Sequence, residues 1–154
     1  MLDEVLKYLL DDLLIKLKEG EKKYPDPIDS MLIGNSEMEK ISESSKSIFI
    51  KQLIKYYPDT YNQHLLDIYN TISEVLISNI EKGRNLGLYK TDFDEKLYSK
   101  YFLELMFAFD HSPLFDSEDN LSRSEFCQRI IIFYLNAIVT PKGLEKLNQT
   151  KKNF

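Results

Sequence analysis

Few residues in this 154-residue chain have the type and spacing to carry chemistry. The two histidines, His64 and His111, each lack a glutamate three positions earlier, so the Glu-x-x-His pairing of di-iron bundles is absent. There is no His-Glu-x-x-His, no phosphate-cradling glycine loop and no Gly-x-Ser-x-Gly. His64 reads as a surface or internally satisfied histidine. His111 falls near a helix C-terminus, where its partial positive charge is favoured. The one cysteine, Cys127, sits in an apolar stretch and reads as a small buried hydrophobe. A single cysteine forbids an intrachain disulfide and suits a reducing, cytoplasmic setting. Carboxylates are abundant but fall on polar faces and in loops. Glu104 stands inside an apolar helix, expected on its one narrow polar strip, with a pocket or interface position as the alternative. These patterns lead to no catalytic residue, no metal site, no cofactor and no expectation of an enzyme.

Aromatic and thioether side chains are more informative, with ten Tyr, nine Phe, four Met and no Trp. Phe49, Tyr56, Tyr57, Tyr61 and Tyr69 gather where a short helix meets a long one. Together with Met31, Met38, Leu53, Leu65 and Met106, they are candidates to line an apolar cavity in which a few hydroxyls orient a ligand. An ordinary aromatic core would present the same residues.

The elements that would position them are helical throughout. Leu2, Val5, Leu6, Leu9, Leu10, Leu13, Leu14 and Leu17 make a wide apolar stripe on a first helix, with Gly20 as its expected end. Tyr24-Pro25-Asp26-Pro27 is a break, after which Pro27 suits the first turn of a second helix. Ile28, Met31, Leu32, Met38 and Ile41 are spaced for that helix, but Gly34-Asn35-Ser36 interrupts it and Ser42 to Ser47 reads as a turn. A short helix carries Ile48, Phe49, Leu53, Ile54 and Tyr57. Pro58 ends it and opens a long helix with Tyr61, Leu65, Ile68, Tyr69, Ile72, Leu76 and Ile80 inward, closed by Gly83 and Gly87. Asp92 and Glu95 suggest a capping box for the next helix, and Ser122 and Glu125 for the last long one, with an acidic loop at 116–120 between them. Thr140-Pro141 closes that helix, and a short terminal piece at 142–147 is expected to pack back. No segment alternates with period two, so no sheet is expected.

Composition places the chain as one globular, soluble domain spanning 1–154, with 43% hydrophobic and 29% charged residues. A net charge of −5 argues against direct nucleic-acid binding, which needs a clustered basic face. The acidic N-terminus does not resemble a secretory signal, and no apolar run reaches the length of a membrane span.

The last two long helices are apolar on too many sides for one chain. Leu97, Tyr101, Leu105 and Phe109 on the first, and Phe126, Ile130, Phe133 and Ala137 on the second, are the candidate interface. A helix apolar all round must be buried all round. At about 1.5–3 kcal/mol per fully buried large side chain, leaving about ten of them wet would forgo more than the about 5–15 kcal/mol that stabilises a typical domain. Two such helices per chain would pair across a two-fold axis as an intermolecular four-helix bundle, making a homodimer.

Three stretches carry a family resemblance. Residues 80–97, Ile-Glu-Lys-Gly-Arg-Asn-Leu-Gly-Leu-Tyr-Lys-Thr-Asp-Phe-Asp-Glu-Lys-Leu, resemble the helix–Gly-Leu-Tyr/Phe-Arg/Lys–Asp–helix junction in the C-terminal domain of TetR-type transcriptional regulators. Residues 134–144, with Thr140-Pro141-Lys142-Gly143-Leu144, are similar to that domain's closing pattern. Phe49 to Pro58 resembles its short helix and Tyr-Pro corner. Asn136-Ala137 stands where Arg-Gly is more usual. The resemblance implies a TetR-like all-α sensing and dimerisation domain. It also implies a cavity for a small apolar or amphipathic effector and a dimer bundle from the last two long helices. The family's helix-turn-helix is missing from these residues, so DNA would be reached only through a further N-terminal domain. Two other classes remain open: a helical-bundle enzyme or cofactor carrier using His64 or His111, and an interaction module that heterodimerises with a full-length regulator.

Overall fold

The computed structural model describes residues 1–115 and 121–153, apart from the side chains of 37–47. Met38 and Ile41 are therefore placed on a helix without a described side chain, and the acidic loop expected at 116–120 lies outside the described residues. The architecture is all-helical. The elements are α1 (Leu2–Lys23), α2 (Pro27–Asp29), a π-helical segment (Ser30–Gly34), α3 (Asn35–Tyr56), α4 (Pro58–Asn85), α5 (Glu95–His111), a 3-10 turn (Pro113–Phe115), α6 (Arg123–Ile138) and α7 (Pro141–Lys152). No strand occurs among the described residues, only an isolated antiparallel bridge between Tyr89 and Val139.

Asp3 and Glu4 at the start of α1, and Lys22 and Lys23 at its end, match the helix dipole. The helix runs past Gly20, the expected stop, and Gly20 faces Gly34 of the π-helical segment, whose Cα an added Cβ would meet at 3.8 Å. Asp26 caps α2, accepting from the Ile28 and Asp29 amides, with Pro27 in the first helical position. From Pro27 to Tyr56 the chain stays helical. Gly34-Asn35-Ser36 does not break the helix: the coil is π-helical from Ser30 to Gly34 and continues as α3 from Asn35, and 42–47 are helical where a turn was expected. No glycine or proline lies between Asn35 and Tyr57, and serines only weakly disfavour a helix. The expected short helix is the end of α3.

Pro58 opens α4, as expected from the sequence. At its other end the Leu88 amide donates to Gly83 O and the Gly87 amide to Arg84 O, while Gly87 takes φ +72°. This is a Schellman closure, so Gly87 is the stop. Gly83 has a packing role instead: a Cβ there would overlap the ring of Tyr89, which is fully buried. The cap of α5 is Asp94, not Asp92. Its Oδ1 accepts from the Lys96 and Leu97 amides, chiefly the Leu97 bond holding its carboxyl below the usual carboxylate range. Glu95 is occupied elsewhere, accepting from Arg84 Nη1 at 3.1 Å. The Ser122–Glu125 capping box of α6 is present in both directions.

The main core lies between α4, α5, α6 and the π-helical segment, around Leu32, Ile72, Leu76, Phe102, Ile131 and Leu135. Leu6, Ile50, Leu53 and Tyr61 form a second cluster; Ala108, Phe126 and Cys127 form a third. The terminal helix α7 packs back through fully buried Leu147, and Lys146 and Thr150 bond to Asp29 at the end of α2.

Candidate functional site

A cavity of about 100 Å³ lies among α1, α4, α5, α6 and the π-helical segment. Since one water needs roughly 10–15 Å³ on the same measure, the space suits a small molecule. Its walls are mostly aliphatic and aromatic. The α1 stripe supplies Leu9, Leu10, Leu13 and Leu17, and the inward face of α4 supplies Tyr61, His64, Leu65, Ile68, Ile72 and Leu76. From the far side come Phe102, Leu103, Met106 and Phe107 of α5 and Arg123 and Cys127 of α6. The π-helical segment contributes Ser30, Met31 and Gly34, an irregular helical stretch at the cavity wall.

Besides Lys16 and Glu21 of α1 and Ser30, the polar groups of the wall fall at two ends. At one, Asn79 donates to Pro27 O and accepts from the Tyr89 hydroxyl, and Asn35 donates to Met31 O. At the other stand Tyr61, His64 and Arg123. Arg123 Nη1 donates to Asp110 Oδ1 in a pair whose side chains are sealed from solvent. Behind it, His111 Nε2 lies 3.2 Å from Glu104 Oε1, and the His111 ring lies 6.5 Å from that of Tyr61. Tyr61 is only 4% exposed, and its hydroxyl has no hydrogen-bond partner. Its phenol is raised well above the usual tyrosine range, first by burial and then by Asp110 and Glu104, with Arg123 opposing.

Four of the ten candidate lining residues, Met31, Tyr61, Leu65 and Met106, stand on the cavity wall, whereas Tyr57 is exposed. Phe49 and Leu53 belong instead to the second cluster, packed with Leu6 and Ile50. Tyr56 is exposed because the last turn of α3 leaves the bundle at the Tyr57-Pro58 corner. Tyr69 follows Ile68 by one residue, a rotation that takes it off the inward face of α4 and beneath Lys100, 5.4 Å from its ring centre. The Met38 side chain lies outside the described residues. The leucines of α1 were legible as a stripe, but nothing in their spacing distinguishes a cavity wall from a solid core. His64, read as a surface or satisfied residue, is buried on the cavity wall.

On the outside, Leu97 and Tyr101 of α5 and Phe133 and Ala137 of α6 are exposed, Phe133 by 65%. Leu105, Ile130 and Phe109 are half-buried. The structure places Phe126 inside: it is 3% exposed and packed between a tilted Phe109 ring and an edge-on Phe115 ring, with ring centroids 5.3 and 4.9 Å away. Phe126 is one α-helical heptad before Phe133, and the drift of the helix together with the neighbouring 3-10 turn covers that end of α6. Tyr101 is braced by a ladder in which Arg84 covers Phe93 at 4.5 Å, Phe93 stacks on Tyr98 at 4.4 Å, and Tyr98 meets Tyr101 at 5.7 Å.

Among the described residues, no group of three or more His, Cys, Asp and Glu side chains could hold a metal ion, and no helix is long and apolar enough to cross a membrane. No family model matches the chain, and neither a curated protein nor a solved structure matches it.

Proposed function

We propose that this chain is the ligand-sensing and homodimerisation domain of a TetR-type transcriptional regulator. The observation carrying this reading is the division of α5 and α6 into two faces. One, with Phe102, Leu103, Met106 and Cys127, closes a mostly apolar cavity; the other, with Leu97, Tyr101 and Phe133, leaves large side chains in water. Large apolar side chains left exposed on two neighbouring helices favour an interaction site, and two such helices per chain suit a two-fold bundle. Two of the three resembling stretches also fit together. The bridge from Tyr89 to Val139, and the bonds from Thr140 N to Leu88 O and Lys90 N to Ile138 O, join 87–90 to 138–140 in one corner.

An apolar or amphipathic effector in the cavity would touch α1, α4, α5 and the π-helical segment together. Binding one arrangement of these helices better than another shifts the population between them. In an intact regulator α1 would carry that shift to a DNA-binding domain. Sedimentation equilibrium tests the assembly: a particle of twice the 18.2 kDa chain mass is expected. A monomer at micromolar concentration would overturn the dimer. The isolated chain should not retard operator DNA in a gel, and tight sequence-specific retardation would overturn the assignment of its role.

A further inference from the structure

The polar chemistry of the cavity indicates what kind of head group its ligand carries, an inference that rests on the cavity being a ligand site. A buried hydroxyl without a partner forfeits the hydrogen bonds it had in water, which is why such groups are rare in folded proteins. Tyr61 has such a hydroxyl, and Tyr61 lines the cavity. At the opposite end the amides of Asn79 and Asn35 donate within the protein, so they do not call for a ligand. The hydrogen-bonding need of the cavity is therefore at the α4–α5–α6 end, and the aliphatic wall of α1 and α4 extends from it.

The charges around Tyr61 narrow the choice further. Asp110 and Glu104 of α5 face it with negative charge, Arg123 of α6 faces it with positive charge, and His111 lies across from its ring. Arg123 is already bonded to Asp110. The two carboxylates outweigh the guanidinium at the phenol, since their combined effect is to hold its proton on. A carboxylate head would meet the buried Asp110 carboxylate, which water does not screen. An ammonium head would need to be stripped of water, and the adjacent Asp110 carboxylate already holds the Arg123 guanidinium through Oδ1. A neutral hydroxyl avoids both costs, and it can both donate to and accept from the phenol.

We propose that the cavity takes an amphipathic molecule with an apolar body and a neutral hydroxyl head, the head hydrogen-bonded to the Tyr61 hydroxyl. Tyr61 is then the residue that selects for the head group.

Four probes of matched length test this by calorimetry on the full chain: octane, octanol, octanoate and octylamine. Octanol should bind most tightly, and Tyr61→Phe should weaken octanol by roughly fivefold to tenfold, the worth of one hydrogen bond, while leaving octane unchanged. The same substitution removes an unpaired buried hydroxyl, so the unliganded variant should melt no lower than the parent. A purely packing role for Tyr61 would weaken octanol and octane alike. Tighter binding of octanoate or octylamine, or equal loss of octanol and octane in Tyr61→Phe, would overturn the head-group assignment. Failure of all four probes, octane included, would instead overturn the ligand cavity itself.

Discussion

Gly83 and Tyr89 occupy the same space: the Tyr89 ring lies where a side chain on Gly83 would begin. The ring is buried, and its hydroxyl donates to Asn79 Oδ1 at 3.0 Å, one turn earlier on α4. Gly143 is equally constrained, because a Cβ there would run into Leu88 O. Backbone and a buried ring cannot step aside cheaply. Gly83→Ala should therefore destabilise the chain by about 1–3 kcal/mol or more through overpacking. Gly20→Ala should be neutral or stabilising by up to about 1 kcal/mol, because its nearest neighbour is at ordinary contact distance and alanine favours the helix. Urea denaturation of the two variants measures the contrast. Equal stability of Gly83→Ala and the parent would show that the corner can open.

Two phenylalanines on α6 should behave in opposite ways. Phe133 is exposed, whereas Phe126 is enclosed by Phe109 and Phe115. Phe133→Glu should leave a folded, helical monomer with an unchanged melting temperature once the dimer contribution is removed. Phe126→Glu places a charge in a closed apolar cluster and should unfold the chain or give aggregate. Sedimentation together with far-ultraviolet circular dichroism separates these outcomes. A Phe133→Glu protein that remained a dimer would place the interface elsewhere.

Local chemistry made some of these features legible in advance and left others hidden. Pro58 and the Ser122–Glu125 box act through their own backbone, so residue type and spacing sufficed. Asp92 and Asp94 both stand near a helix start, and the Asp-x-x-Glu spacing favours Asp92. Tertiary contact decides for Asp94 because Arg84, from the preceding helix, holds Glu95 away from a capping box. Gly20 looked like a stop because a glycine after a leucine stripe commonly is one, yet its partner Gly34 lies on another element. The phase of α6 was hidden for a related reason. With apolar residues on every side, Phe126 and Phe133 differ only in what the rest of the fold puts against them. The cavity was partly legible through Met31, Tyr61, Leu65 and Met106, while Arg123 and His64 required the distant elements that surround them.

The Arg123–Asp110 pair joins the start of α6 to the end of α5 with both side chains out of solvent. Removing one partner leaves a buried charge without its counter-ion. Arg123→Met should cost about 3–5 kcal/mol, whereas Arg123→Met combined with Asp110→Leu should recover much of that loss. Denaturant midpoints for the parent, the two single variants and the double variant form the cycle that measures the coupling. Additive losses would mean that the pair contributes little as a pair.

Alkaline pH should unfold the domain through its buried phenols. Burial raises Tyr89 and Tyr134 above the usual tyrosine pKa of about 10, with Tyr134 a minor further influence on Tyr89. The folded state therefore holds these protons when the unfolded chain has begun to lose them. Their contribution is fully present below about pH 10 and is lost as pH rises above it, since the unfolded state binds fewer protons there. Helical circular dichroism and tyrosinate absorbance, followed together, should show these residues ionising only as the helix signal collapses. In Tyr134→Phe the alkaline transition should move to higher pH. Ionisation of both phenols in a fully helical protein would contradict the burial.

Filling the cavity should separate ligand binding from stability. Leu13 lies in the middle of the α1 wall and is only partly buried, so a larger side chain there extends into space that is already open. Leu13→Phe should leave stability unchanged or raise it by about 0.5–2 kcal/mol, the usual gain from cavity filling. The same substitution should weaken octanol or octane at least tenfold. Ordinary overpacking predicts the reverse pattern, a lower melting temperature with little change in probe affinity. Thermal melts of the unliganded variant, set beside calorimetry with octane, therefore distinguish an open chamber from a tightly packed core along the α1 wall.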